Sequence, residues 1–281
     1  MKPAPPHHAQ VFGSPWPGVY GTHLDIGRHF GRHWHAVFGV GLLEDGAQRS
    51  ASGRGTVEAF AGDVITTNPG EVHDGHPLGA ASRRWRMVYI EPIVMASMAG
   101  HPEATHQSGV ELTRPVFQDP QLRQALAQLL ARIAHWSAGT HATTADALAC
   151  EESLVAVCGG LQTQHAVAAG PGAMRNAVDL RQVHARLADA PLQPPTLTEL
   201  AVMAGISKFQ LLRRFEKAYG LTPYAWLLQQ RTELARRHIR RGASLADAAA
   251  TSGFSDQSHM TRIFTRQFGF TPGALRQASG H

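Results

Sequence analysis

An imperfect internal repeat near the carboxyl end constrains this 281-residue chain more than any other feature. The first copy opens with Thr196-Leu197-Thr198-Glu199, continues through Gly205-Ile206-Ser207, and ends with Phe215, Gly220, Thr222 and Pro223. The second opens with Ser244-Leu245-Ala246-Asp247, continues through Gly253-Phe254-Ser255, and ends with Phe264, Gly269, Thr271 and Pro272. The offset is 48 residues up to the Ser207/Ser255 pair and 49 beyond it, which places one extra residue in the second helix of copy two.

Each copy encodes the same local physics. Thr196 and Ser244 can cap a helix, with an acidic residue three positions on to complete a capping box. Gly205 and Gly253 supply the left-handed conformation that ends a short helix. Ser207 and Ser255 then cap a second helix. Thr222-Pro223 and Thr271-Pro272 each start a further helix with a cap and an N1 proline. Helix, glycine turn, helix is the unit whose second helix enters the major groove of DNA. Residues 223–241 join the copies as a helix about 28 Å long. Successive major-groove faces are about 34 Å apart, so one chain could seat both recognition helices on adjacent turns.

Charge follows the same division. Residues 1–170 hold 11 Lys+Arg and 14 Asp+Glu, whereas residues 171–281 hold 15 and 7. The basic field therefore belongs to the last third, which points to an acidic partner for that part alone. The breaker-rich Ala166–Gly172 segment, where the charge balance changes sign, is read as the domain boundary. Only Cys150 and Cys158 are present, which excludes a disulfide-dense scaffold and suits a reducing, cytoplasmic compartment. No run of about 18 apolar residues predicts a membrane span, and the amino terminus shows no secretory h-region.

Residues 18–92 alternate short apolar stretches with Gly, Pro, Asn and Asp, the pattern of an antiparallel sandwich or barrel. Leu122, Ala125, Leu126, Leu129, Leu130 and Ile133 recur at helical spacing, as do Leu148, Leu154, Val155 and Cys158 in a second helix from Thr144 to Leu161. The Leu122–Ile133 stripe serves either as a partner face or as intramolecular packing. His33-Trp34-His35 on a strand would aim both imidazoles to one face, and His73 on a neighbouring strand would complete a set of three. Three imidazoles suit borderline metals.

The carboxyl-terminal third, about residues 173–278, resembles the DNA-binding domain of AraC/XylS transcription regulators. The resemblance is strongest over Gly253-Phe254-Ser255-Asp256-Gln257-Ser258-His259-Met260-Thr261-Arg262-Ile263-Phe264 and Phe268-Gly269-Phe270-Thr271-Pro272. It implies base-reading positions at Phe209, Leu212 and Arg213 in the first unit, and at Gln257, Ser258, Thr261 and Arg262 in the second. Leu212 departs from the polar residue common there; it suits a thymine methyl and not a bidentate base contact. The spacing from Gly27 to His33 and His35, then from Gly62 to Pro69-Gly70-Glu71-Val72-His73, is similar to the two cupin motifs. The glutamate of metal cupins falls on Gly39 or Val40, neither of which coordinates; Glu71 is the substitute.

The expected fold is therefore α+β. A cupin-like effector-sensing domain (1–118) precedes a helical dimerisation or linker segment (119–170) and a DNA-binding domain of two helix-turn-helix units (171–281). The expected function is a non-enzymatic transcription regulator, with double-stranded promoter DNA and a small-molecule effector as partners. RNA polymerase joins them if the protein is an activator, and a homodimer is possible; no membrane is involved. Effector-binding residues are His33, His35, Glu71, His73, Trp85, Arg86 and Tyr89. No cofactor is certain. A divalent metal on His33, His35 and His73, and purely structural histidines, stay open beside the organic effector. The alternative is a metal-binding cupin, either a metal sensor or a metal-dependent enzyme with a helical appendage.

Overall fold

The computed structural model describes residues 7–98, 110–139, 143–168 and 178–280. The amino-terminal part holds β1 (His7–Gly13), β2 (Val19–Ile26), β3 (Phe30–His33), β4 (Phe38–Asp45), β5 (Ala47–Ser52), β6 (Gly55–Phe60), β7 (Val64–Thr67), β8 (His73–Pro77) and β9 (Arg83–Ile90). There follow α1 (Pro92–Met98), β10 (Val110–Leu112), β11 (Val116–Phe117), α2 (Pro120–Ala138), α3 (Thr144–Gln164) and β12 (Ala166–Ala168). One sheet runs β1-β2-β9-β4-β7-β11 and a second runs β3-β8-β5-β6, with the paired strands antiparallel. The β structure begins earlier than the 18–92 reading, because β1 is a half-covered edge strand whose exposed His7 and His8 hide its alternation.

The outer face of the larger sheet is apolar, with Val19, Phe38, Val40, Val88 and Ile90 fully buried. Leu122, Leu126, Leu129 and Ile133 of α2 cover it, and Leu154, Val157 and Leu161 of α3 pack behind them. This settles the Leu122–Ile133 stripe as intramolecular packing. Asp119 caps α2 and Thr143 caps α3 through a capping box. β12 returns to pair with β10, so the helical segment is built onto the β-domain. The 170/171 boundary lies outside the described residues.

The carboxyl-terminal part is all helical: α4 (Val178–Asp189), α5 (Leu197–Met203), α6 (Lys208–Tyr219), α7 (Pro223–Arg240), α8 (Leu245–Thr251), α9 (Gln257–Phe268) and α10 (Pro272–Ala278). The expected caps hold. Thr196 and Ser207 form capping boxes with Glu199 and Gln210, Ser244 accepts from the Asp247 amide, and Thr222 and Thr271 precede N1 prolines. Gly205 and Gly253 adopt φ of +64° and +79°. One expectation fails. The second recognition helix is capped by Asp256, and Ser255 instead donates to the Asp256 carboxylate at 3.1 Å. α6 and α9 are both 12 residues long, so the extra residue of copy two lies in the turn, not in the helix. A repeat offset cannot distinguish the two when Ser and Asp stand side by side, since either caps well.

The two halves share their cores. Phe254, Met260, Phe264, Phe268 and Phe270 of the second helix-turn-helix unit form one apolar cluster with Leu24, Phe30, Trp85 and Met87 of the β-domain. Trp34 joins the first unit's cluster with Leu211, Phe215 and Trp226, and stacks on Trp226 with ring centroids 6.0 Å apart.

Candidate functional site

A cavity of about 90 Å³ lies between the two sheets. Strand alternation selects its lining: Arg83, Trp85, Met87 and Tyr89 of β9 face inward. Arg86, the neighbour of Trp85, therefore points to the opposite side, where its Nε donates to Glu44. The structure thus parts Arg86 from the other expected effector residues. His33, His35, Glu71, His73, Trp85 and Tyr89 all line the cavity.

His33, Trp34 and His35 divide their work by parity. His33 ends β3 and His35 lies two residues on; their rings meet edge to face at 4.9 Å, and His33 meets His73 at 4.4 Å. Trp34 turns away, into the first helix-turn-helix unit. His33 Nδ1 lies 2.8 Å from the Gly31 carbonyl and His73 Nδ1 lies 2.9 Å from the Glu71 carbonyl. A neutral imidazole donates from Nδ1 in such a bond and leaves Nε2 with a free lone pair. One ligand nitrogen from each of the three rings lies within 4.8 Å of the others. In a tetrahedral site, nitrogens about 2.0–2.1 Å from the ion lie about 3.4 Å from one another, so a bound ion would draw the three rings together. In donor type the triad fits a borderline divalent metal. Glu71 does not join it: its Oε2 accepts from Asn68 and its Oε1 lies 3.6 Å from Arg54.

Burial holds all three imidazoles neutral. It lowers His33 to about 3, and His35 and His73 also shift downward, burial being the largest cause in each case. The unfolded chain binds these protons near 6.5 and the folded one does not, so stability is complete above that pH and declines as the pH falls toward 3. From pH 7 to pH 5.5 His33 alone is expected to remove about 1 kcal/mol, and His35 and His73 act in the same direction. Urea midpoints across that interval check this, and a His33→Asn, His73→Asn variant should show a flatter profile.

Sequence reading missed the cavity residues that come from elsewhere. Gln267 and Phe268, at the end of α9, close one side, and His35 stacks on Phe268 at 5.3 Å. Arg83, 2% exposed, also lines it. Its parity with Trp85 was the available signal; the α9 residues gave none, because their contact is purely tertiary. Among the described residues, His35 Nδ1, Thr67 Oγ1 and Gln267 Oε1 are buried lining atoms without a hydrogen-bond partner.

The loop after β3 is grasped by the helices. The Trp34 amide donates to Gln229 Oε1 at 3.0 Å, Gln267 Nε2 donates to the Trp34 carbonyl at 2.9 Å, and the Ala36 amide donates to Glu233 Oε1 at 3.2 Å. The last turns of both recognition helices also rest on the β-domain. Arg28 donates to the Thr265 carbonyl at 2.8 Å, and Arg32 to the Gly220 carbonyl at 3.3 Å. Gly269, the α9 C-cap at φ +83°, lies where a Cβ would come 2.9 Å from Phe30 Cζ. Gly269→Ala is therefore expected to cost about 1–3 kcal/mol, through the positive φ and the overpacked contact; a urea denaturation midpoint measures it.

The starts of α6 and α9 are free. Lys208, Phe209, Arg213, Gln257, Ser258 and Arg262 are exposed, and Leu212 and Thr261 partly so. Phe209 is 68% exposed, an unfavourable state for a core phenylalanine. Phe215, Phe254, Phe264 and Phe268 are buried and fix the angles between helices.

Taken together, a basic pair of helix-turn-helix units docked on a β-domain with an internal cavity defines a ligand-binding DNA-binding protein. The model for the AraC-like ligand binding domain matches residues 17–157, and that for a helix-turn-helix domain matches residues 200–278. The chain belongs to the AraC family and is a DNA-binding transcription regulator with a ligand-binding domain. It is similar to the transcriptional activator NphR of Rhodococcus sp, 38% identical over 98 residues, a match covering 34% of this chain and 28% of that protein. It is 26% identical over 237 residues to the uncharacterized HTH-type transcriptional regulator YbfI of Bacillus subtilis, covering 84% of this chain and 82% of that one. Its fold is that of ToxT from Vibrio cholerae, with a TM-score of 0.51 and 9% identity, covering 98% of this chain and 99% of that one. No described helix is long and apolar enough to cross a membrane.

Proposed function

We propose that the protein regulates transcription in the cytoplasm by reading promoter DNA with the amino-terminal halves of α6 and α9, under control of a small molecule in the β cavity. The observation that supports this best is the division of each recognition helix. The first turns, with Phe209, Leu212 and Arg213 or Gln257, Ser258, Thr261 and Arg262, face outward. The last turns are held by the domain that surrounds the cavity. A ligand touching Phe268 or Gln267 thus touches α9 itself. Differential affinity for two arrangements of the domains is the only way such a ligand can act. RNA polymerase is a further partner if the protein activates. The outward side of α3, where Leu148 and Val155 are 57% and 47% exposed, is the place for a homodimer contact.

Mobility-shift titrations on promoter fragments at several salt concentrations test the reading. Specific binding with a steep negative salt slope is expected, and each phosphate-contacting Lys or Arg removed should lower that slope by about one. Binding indifferent to both sequence and salt would contradict it.

A second reading, favoured by the convergence of His33, His35 and His73, makes the effector a divalent metal. Cobalt(II) titration followed by its visible absorption tests this: a saturable spectrum lost in a His33→Gln, His73→Gln variant would support it. Nothing around the triad favours a cupin enzyme, since Gly39 and Val40 replace the fourth ligand and Glu71 is held by Asn68 and Arg54.

A further inference from the structure

Among the described residues Arg83 and Arg236 are the two arginines with 2% exposure or less, and they are treated differently. Arg236 has its counter-ion: its Nε donates to Glu233 Oε2 at 2.8 Å. Arg83 has none, and among the described residues no carboxylate oxygen lies within 4.0 Å of its guanidinium. Neutral partners hold it in place instead. Its Nε donates to Gln48 Oε1 at 3.0 Å, its Nη1 donates to the Arg28 carbonyl at 3.2 Å, and its Cζ lies 4.8 Å from the Trp85 ring centroid. The remaining Nη2 edge is uncommitted, on the side of Gly75. Asp74 also lines the cavity, but its Oδ1 accepts from the Ala51 amide at 2.7 Å.

Burying an uncompensated cation costs several kcal/mol unless a counter-ion arrives. Burial lowers the Arg83 pKa to about 10, so the side chain is still charged at neutral pH. A phosphate, with about −1.5 to −2 charges, would exceed what one guanidinium balances. A carboxylate matches in charge and can accept a charge-assisted hydrogen bond from the free Nη2. The rest of the lining is largely apolar (Leu24, Ile65, Met87, Phe268), and the cavity of about 90 Å³ is well below the ~300 Å³ of pockets for drug-sized ligands.

We propose that the ligand of this cavity is a small organic monoanion, a carboxylate with a compact apolar body, ion-paired to Arg83. The inference rests on the cavity being the effector site and deepens that reading by naming the ligand's chemical class. The carboxylate takes the free Nη2 edge, and the body lies against Met87 and Phe268, where it meets α9.

Thermal shift and isothermal titration test this on the full chain. The probes are acetate, propionate, benzoate and salicylate, each against its primary amide, with mobility shift on the same samples. At least one acid is expected to bind saturably and raise Tm by about 5–10 °C at 100 times its Kd. Its amide should bind at least about 100-fold more weakly. Arg83→Gln removes the acid's advantage. Gly75→Asp, whose Cβ would lie 3.4 Å from Arg83 Nη2, supplies an internal carboxylate; it should raise the unliganded Tm and abolish the acid response. The proposal is overturned if acid and amide bind alike, if none of the acids binds, or if acid binding survives in both variants. The wild-type comparison decides the matter even if a variant fails to fold. A neutral ligand that binds and changes DNA affinity would overturn the anion class and leave the effector reading standing. An acid bound through Arg83 that leaves DNA affinity unchanged would support the site chemistry and contradict the effector reading.

Discussion

Replacing Arg213 and Arg262 together by alanine is expected to reduce affinity for the cognate promoter by about 30-fold to 10⁴-fold. Each bidentate base contact contributes about 1–3 kcal/mol of discrimination, and the two sites are on separate helices. The fold should be indifferent. Both side chains are exposed and neither makes an ion pair among the described residues; Arg213 only overlies the Phe209 ring, at 5.7 Å. Tm should therefore stay close to that of the parent protein. Fluorescence anisotropy on a cognate and a scrambled duplex separates the effects: the cognate affinity should fall toward the scrambled one. A double variant that keeps its sequence preference would remove these residues from the recognition surface.

The second large effect belongs to Glu233 of α7, which is 1% exposed. Its Oε2 neutralises Arg236, its Oε1 accepts from the Ala36 amide, and His35 Nδ1 lies 3.8 Å away. It thus links a buried cation in the DNA-binding half to the loop that carries His35. Burial works against the charge on Arg236, and Glu233, with smaller contributions from Tyr20 and Glu91, outweighs it and raises its pKa. Glu233→Ala leaves that cation uncompensated and is expected to cost about 3–5 kcal/mol. A fall in Tm on the order of 10 °C should follow, measured by calorimetry. Glu233→Ala combined with Arg236→Met should recover much of the loss, since a matched pair removed together leaves no orphan charge. A single variant as stable as the parent would show that the two halves are not joined through this pair.

The parts of the molecule written in local code were legible from sequence, and the parts written in tertiary contact were not. The helix-turn-helix units could be read from Thr196, Ser207, Gly205 and Gly253, because capping and a positive φ are decided within a few residues. The error over Ser255 and Asp256 arose where two adjacent residues satisfy the same local rule. His33, His35 and His73 were legible as a group because their spacing resembles a known motif, and the structure brings their rings together. Arg86 lies outside the cavity for a reason the sequence already held: it cannot share a strand face with Trp85 and Tyr89. The same parity points to Arg83. Glu233, Gln229, Gln267 and Phe268 lie about 200 residues from the loop and cavity they complete, and their helical spacing says nothing of that contact.

This arrangement gives the regulator reading a physical basis. The cavity shares His35 with the loop after β3 and Gln267 and Phe268 with the end of α9, while the end of α6 is tied to the β-domain through Arg32. The linker α7, 18 residues and about 27 Å long, is clasped along the same side through Gln229 and Glu233.

Selection of bound sequences from a randomised duplex pool tests the central claim most directly. Two recognition helices joined by this linker predict a consensus in two short blocks, centred about one helical turn, 10–10.5 base pairs, apart. A pool that yields no consensus, or a single block unaffected by changes in α6, would contradict the account.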